Sequence, residues 1–302
     1  MTVRTIRSGD GIALLGKRNC GRVPLSPLRY PGGKTRFVPQ LVRMLDEQTF
    51  PRVIEPFAGG ASVSLGLLEA GVVDKARISD ADPLIAAFWI SATERSEELV
   101  SRMYAEPVTV ARWTYWKNRR DESLTTMGRA MKTLYLNRTT FSGLIRHGSV
   151  LGGLDQDARI ADGETVAYPI GSRFNKDALA ASIRRIGQWH SEGRITAHHE
   201  LYAEALTASE PDDLVYLDPP YVEKSDALYG TEFGTTEHCA LAADVARLNS
   251  PVIVSYDDLP LIRNLYAGME FQNPQWAYGM GGSKRSREIL ITNNVRLEHR
   301  AA

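Results

Sequence analysis

Short apolar runs that stop at acids, glycines or prolines recur along the chain. They include Val53-Ile54-Glu55, Ala76-Arg77-Ile78-Ser79-Asp80, Arg194-Ile195-Thr196-Ala197-His198-His199 and Leu214-Val215-Tyr216-Leu217. Two more follow, the stretch 251–256 and Glu288-Ile289-Leu290-Ile291-Thr292. Near-continuous apolar runs of this length predict strands buried on both faces, as in a parallel sheet. Helical spacing fills the gaps between them. Phe37, Leu41, Val42 and Leu45 share one helical face. Asp82-Pro83 reads as a cap opening a helix, and Phe174-Asn175-Lys176-Asp177 as the cap of another that reaches Trp189. Strand, loop and helix in alternation predict an α/β fold. Between about Glu94 and Ile186 the rhythm stops, which predicts an inserted, mainly helical region.

The sharpest ending of an apolar run is at Asp218-Pro219-Pro220-Tyr221, after Leu214–Leu217. Prolines cannot extend a sheet ladder or enter a helix interior, so they stiffen the strand's carboxyl end. Open α/β sheets bind ligands at that end. Asp218 supplies one acceptor, the Pro219 carbonyl a second, and Tyr221 a flat ring. That set suits an exocyclic aromatic amine, whose lone pair is delocalised and poorly nucleophilic. Acceptors on both of its N–H bonds favour a more tetrahedral nitrogen and stabilise the charge that develops there. Read alone, the tetrapeptide also fits a strand followed by a rigid turn with a chance aspartate.

Two glycine-containing stretches precede it. Gly33-Lys34-Thr35 resembles the end of a P-loop, but Leu28 stands where that pattern needs glycine, so the P-loop reading fails. The turn instead aims Tyr30 and Lys34 at whatever approaches the backbone. The stretch 53–65 reads as strand, glycine loop, helix, with Pro56, Phe57, Gly59, Gly60 and Ser62 at the turn. Small residues there let a ligand reach a helix N-terminus. Asp80 ends the next strand, where nucleotide-binding α/β folds keep an acid for ribose hydroxyls.

Composition refines this picture. The chain has 302 residues, 43% hydrophobic and 24% charged, ordinary values for a globular protein. It fits one large α/β domain with an insertion, or two domains. Formal net charge is zero, which argues against a strongly basic nucleic-acid coat protein. The charge is uneven, however. From Arg112 to Arg146 run Lys117, Arg119, Arg120, Arg129, Lys132 and Arg138, opposed by Asp121 and Glu122. Aromatics interleave with bases at Trp113-Thr114-Tyr115-Trp116-Lys117-Asn118-Arg119-Arg120, so this segment is expected to meet nucleic acid. Residues 281–287 form a basic loop suited to a phosphate backbone, and residues 228–236 a loop suited to folding over a substrate. Cys20 and Cys239 have neither metal-ligand nor disulfide spacing, so a cytoplasmic location is expected. No apolar run is long enough to span a bilayer, no signal peptide is expected, and no membrane association is expected. His198 and His199 lack H-E-x-x-H spacing, and no metal is expected.

These residues together resemble the D12 class of DNA adenine-N6 methyltransferases, the group of the Dam enzymes. Four blocks carry the likeness in the family's order: Arg29-Tyr30-Pro31-Gly32-Gly33-Lys34; Glu55-Pro56-Phe57-Ala58-Gly59-Gly60; Leu136-Asn137-Arg138 through Phe141-Ser142-Gly143-Leu144-Ile145-Arg146; and Asp218-Pro219-Pro220-Tyr221. The resemblance implies a seven-stranded, Rossmann-like methyltransferase sheet with an inserted target-recognition region. S-adenosyl-L-methionine would be the cofactor and double-stranded DNA the partner. It implies a flexible arm over 1–26, a catalytic domain from 27–93 and 187–302, and a recognition domain over 94–186. Tyr30, Lys34, Glu55, Pro56, Phe57, Gly59, Gly60, Ser62, Asp80, Tyr202 and Asp218 would line the cofactor pocket. Asp218, Pro219, Pro220 and Tyr221 would hold the target base, flipped out of the duplex. Lys117, Arg119, Arg138, Phe141, Ser142, Leu144 and Arg146 would contact DNA. Ser142 departs from the asparagine that Dam-like enzymes often carry there, and their next recognition loop, Gly-x-Phe-Asn, has no clean match between Val150 and Arg173. Rival readings are cytosine-N4 methylation, glutamine-N5 methylation and a DNA-binding regulator without catalysis. Oligomeric state stays open between monomer and weak dimer.

Overall fold

The computed structural model describes residues 25–30, 33–222, 233–273 and 288–298. The expected arm up to residue 24, Pro31-Gly32, the loop residues 228–232 and the basic loop 281–287 lie outside the described residues.

Seven strands form one sheet among the described residues: β1 (Phe50–Glu55), β2 (Val73–Asp80), β3 (Ile195–His199), β4 (Leu214–Leu217), β5 (Val252–Asp257), β6 (Glu270–Gln272) and β7 (Glu288–Asn293). Their spatial order is β3-β2-β1-β4-β5-β7-β6. The first five lie parallel to their neighbours, whereas β7 runs antiparallel to both β5 and β6. The seven-stranded α/β sheet expected from the sequence is present.

Alternate residues of each strand feed opposite faces, as a two-residue period requires. Leu214 and Tyr216 join one apolar core with Val53, Ile78 and Ile253. Val215 and Leu217 join another with Ile54, Val254 and Tyr256. Both faces are therefore dry, which is why β4 reads as an unbroken apolar run. Helix α1 (Val38–Met44), α2 (Ser62–Ala70) and α3 (Pro83–Glu94) contribute to the first core. The expected face of α1 is there: Phe37, Leu41 and Leu45 are buried and Val42 packs at its margin. Helix α3 starts as the sequence predicts, with Pro83 in its first turn and Asp82 accepting from the Leu84 N–H at 2.9 Å.

The insert holds α4 (Ser96–Ala105), α5 (Val110–Asn118), α6 (Thr126–Thr139), α7 (Gln156–Ala161) and the start of α8 (Lys176–Ser191). Asn175 caps α8 by accepting from the Ala178 N–H. Residue 186, the expected end of the insert, falls inside α8. Helices α3, α5, α6 and α8 share the core that covers the sheet, so the insert is packed on rather than tethered. The far face carries α9 (Tyr202–Thr207), α10 (Thr235–Arg247) and α11 (Pro260–Leu265). The aromatic–basic stretch of α5 divides between two faces. Trp113 and Trp116, three apart, face the core, and their indole N–H groups donate to Thr140 and Glu106. Tyr115 faces outward, with Arg112 and Arg119 against its ring.

Candidate active site

The carboxyl ends of β1, β2 and β4 meet around a cavity of about 460 Å³, a size suited to a small molecule. After β1 the chain turns through Gly59 at φ 43° and Ala61 at φ 46° before α2 begins. Gly59 is required there twice. Its φ is left-handed, and a Cβ on it would lie 2.8 Å from the Tyr30 ring. The Gly59 carbonyl accepts from the Trp89 indole, so α3 braces the loop from behind.

Two carboxyls sit under this loop. Glu55, buried, accepts from the Ser64 N–H at the start of α2 at 2.9 Å. Burial pushes its carboxyl up to about 8; the Ser64 hydrogen bonds and Lys34 pull the other way, and Asp218 adds to the rise. Asp80, at the end of β2, accepts from the N–H groups of Gly59 and Asp82, each at 2.9 Å. Burial raises it to about 7 against those two bonds. Phe57 and Tyr202 stack with centroids 5.6 Å apart, and Phe233 meets both edge-on. One end of the cavity is thus aromatic and the floor acidic.

At the other end three lining side chains, Lys34, Asp218 and Tyr221, meet a fourth, Glu288, set behind them. The Lys34 ammonium donates to Asp218 Oδ1 at 2.9 Å and to the Tyr221 hydroxyl at 2.7 Å, and lies 3.7 Å from Glu288 Oε1. The Tyr221 hydroxyl donates to Glu288 at 2.7 Å. Asp218 leaves 23% of its side chain open. Burial raises its carboxyl above the ordinary range, and the Lys34 ammonium draws it back. Lys34 itself is nearly sealed, which explains why a lysine tolerates burial here: carboxylates surround it.

The insert closes the third side. Asn137, fully buried on α6, accepts from the Arg29 N–H at 2.7 Å and donates to the carbonyls of Arg29 and Gly143. One amide therefore ties the stretch before Lys34 to the turn 141–146. Gly143, Leu144, Ile145 and Arg146 line the cavity. Arg146 is held between Asp82, at 2.7 Å, and Asp121, at 2.9 Å. Phe141 projects from the turn, 62% exposed, and Ser142 takes φ 57° beside it.

Of the residues singled out from sequence, Tyr30, Lys34, Glu55, Pro56, Phe57, Gly59, Gly60, Ser62, Asp80, Tyr202, Asp218, Pro219, Pro220 and Tyr221 share this one cavity with Leu144 and Arg146. Phe141, Ser142, Lys117, Arg119 and Arg138 do not line it. The Lys117 ammonium is half-buried and donates to the Arg146 carbonyl at 2.9 Å. Arg138 is turned inward, its Nε donating to the Pro27 carbonyl at 2.7 Å. Burial, with Arg29 and Arg173 near, lowers its guanidinium to about 9. Sequence reasoning named Asp82 as a cap, Asn137 in a family block and Glu288 in a strand, but gave none of them a part in the site. Glu288 opens its apolar run where Asp218 ends its own, so its place beside the site depends on the direction of the strand. Among the described residues no group of three or more side chains is arranged to hold a metal ion, and no helix is long and apolar enough to cross a membrane.

A family model described as D12 class N6 adenine-specific DNA methyltransferase matches residues 30–153 and 159–280. The retron Ec67 DNA adenine methylase of Escherichia coli is 26% identical over 281 residues, 89% of this chain and 91% of that protein. The type II methyltransferase M1.LlaDCHI of Lactococcus lactis subsp. cremoris is 22% identical, covering 90% of this chain and 96% of its own length. The DNA adenine methylase of Escherichia coli K12 is 26% identical over 79% of this chain and 83% of its own.

Proposed function

The chain belongs to the D12 class of N6 adenine-specific DNA methyltransferases, and we propose that its cavity takes S-adenosyl-L-methionine beside a single adenine extruded from duplex DNA. The observation that carries this reading is the convergence of Asp218, Lys34 and Tyr221 with the glycine loop and Asp80 on one cavity. The residues fit such a donor. Asp80 offers carboxylate oxygens to ribose hydroxyls. Phe57, Tyr202 and Phe233 offer an apolar wall to a purine. Glu55 and Asp218 turn carboxyl oxygens toward the space a cationic group would fill. The donor, when bound, supplies a methyl group on a positively charged sulfur.

The chain's own residues do the rest. An adenine within a duplex cannot reach Asp218, so the base must leave the stack. Tyr221 gives its ring a face to lie on, and two bonds at the Tyr221 hydroxyl hold that ring in one plane. Asp218 accepts one N6 hydrogen and the Pro219 carbonyl the other. As N6 gains its new bond, positive charge grows on the nitrogen and Asp218 Oδ takes the proton released. The raised carboxyl of Asp218 makes it a better acceptor for that proton than an exposed aspartate. Holding both reactants in line replaces much of the entropy cost of their encounter.

Residues 94–186 are the target-recognition part in this reading. Phe141 offers an exposed ring to a base, and Arg146, reaching the cavity between Asp82 and Asp121, supports contact with a base edge or a phosphate. Lys117 steadies the turn from below, whereas Arg119, on the outer face of α5 against Tyr115, is free to meet a phosphate. Sequencing DNA from a methylation-free host with a modification-sensitive method tests the function. Expression of this chain should mark adenines in one short sequence, and Asp218→Ala should leave that sequence unmarked. Marks on cytosine, or an Asp218→Ala variant as active as the parent, would overturn it.

A further inference from the structure

The antiparallel β7 explains how a carboxylate comes to stand behind Tyr221 and Lys34 of this pocket. Parallel strands present their last residues to the ligand edge, but β7 runs the other way and presents its first. Glu288 is that residue, buried, paired in register with Asp257 on β5. Its Oε1 accepts from the Tyr221 hydroxyl at 2.7 Å and lies 3.7 Å from Lys34 Nζ.

The donors and acceptors of this cluster impose a direction. An ammonium has only donors, and Lys34 directs one at the Tyr221 oxygen. The Tyr221 hydrogen must then point at an acceptor. Among the described residues two carboxylates are near: Glu288 at 2.7 Å and Asp218 at 3.4 Å. Glu288 is the closer, so it keeps the phenol's hydrogen away from Asp218 Oδ1. That oxygen already receives one bond from Lys34, and it belongs to the carboxylate that the target amine needs.

Resting on the adenine-N6 reading above, we infer that Glu288 is a positioning residue for the methyl transfer. It takes the Tyr221 hydroxyl hydrogen and so leaves Asp218 free to accept from the amine. Remove the Glu288 acceptor and the phenol turns to Asp218, competing with the amine for its lone pairs. No covalent bond of Glu288 is made or broken.

The test is a set of variants read by single-turnover methyl transfer on a duplex carrying the marked sequence. Glu288→Ala should slow transfer at least tenfold while DNA affinity changes less than twofold. With 2-aminopurine at the target position and no donor present, its fluorescence should report extrusion equal to that of the parent. Glu288→Gln keeps an acceptor and should stay within about threefold of the parent. The deciding variant is Tyr221→Phe placed in Glu288→Ala: with no hydroxyl to turn on Asp218, most of the lost rate should return. If Glu288→Ala is as fast as the parent, or the two changes multiply their losses, the inference is wrong. A lost acceptor that merely loosens the fold would not be rescued by removing a second polar atom. Should Glu288→Ala fail to fold, Glu288→Met keeps the side-chain volume and enters the same comparison. Failure of the parent to mark adenine at all would instead overturn the underlying function.

Discussion

Glu55 and Asp80 are carboxyls that the fold holds in their neutral form far above where free carboxyls ionise. The sign of the consequence follows from which state binds the proton. An unfolded Glu55 ionises near 4.5, the folded one near 8. Stability drawn from the neutral carboxyl is therefore complete below about pH 4.5 and is lost as pH rises toward 8. Asp80 acts in the same direction between 3.8 and about 7. Glu55→Gln keeps the acceptor for Ser64 and removes the ionisation. Its thermal midpoint without donor should exceed the parent's at pH 8 by ~3 °C or more and match it near pH 4.5, as calorimetry would read. A midpoint difference independent of pH would contradict the buried neutral carboxyl. Asp218→Ala belongs to the same scale. It should cut methyl transfer by about a thousandfold or more, a loss typical of removing a group that meets developing charge. Donor affinity by calorimetric titration should change less than about fivefold.

At the scale of elements, the pocket depends on joints between segments that are distant in sequence. Asn137 is one. Replacing it with alanine strips partners from the Arg29 N–H and from the Arg29 and Gly143 carbonyls. Each buried group left unpaired costs about 1–3 kcal/mol. Asn137→Ala should therefore lower the urea midpoint clearly, and should slow methyl transfer even at temperatures where the variant stays folded. The glycine loop is another. Gly59→Ala brings a Cβ into the Tyr30 ring at a left-handed φ, so donor affinity should fall about tenfold or more. Six of the seven described strands, the glycine loop and the Asp218 tetrapeptide were legible in sequence because each is local, whereas the short β6 was not read. An apolar run ending at an acid is its own signal. The inward turn of Trp113 and Trp116 was not, since an aromatic–basic stretch looks alike whichever helical face the sheet covers. Arg138 misled for a related reason: its charge marked a surface, while its position on α6 set it against Pro27. Glu288 depended on strand direction, which a short apolar run does not reveal.

For the whole molecule, zero net charge leaves DNA affinity to a local face rather than to the overall field. Several cations of the insert are committed internally: Lys132 and Arg146 to Asp121, Arg112 to Glu106, Arg138 to Pro27. Among the described residues of the insert, Arg119 stays exposed and open to a phosphate. Arg119→Ala should weaken binding to all duplexes alike and reduce the slope of log affinity against log salt by about one. An unchanged slope would remove Arg119 from the interface. The sheet, insert and far-face helices matter together because the cavity borrows walls from the sheet edge, the turn 141–146 and Phe233.

The most direct test of the adenine reading is chemical. Purified protein is incubated with unmethylated duplex DNA and S-adenosyl-L-methionine labelled in its methyl group, and the DNA is then digested to nucleosides. Label should appear in N6-methyladenine with the parent chain and vanish with Asp218→Ala. Label in N4-methylcytosine or in protein, or no transfer despite tight DNA binding, would contradict the assignment.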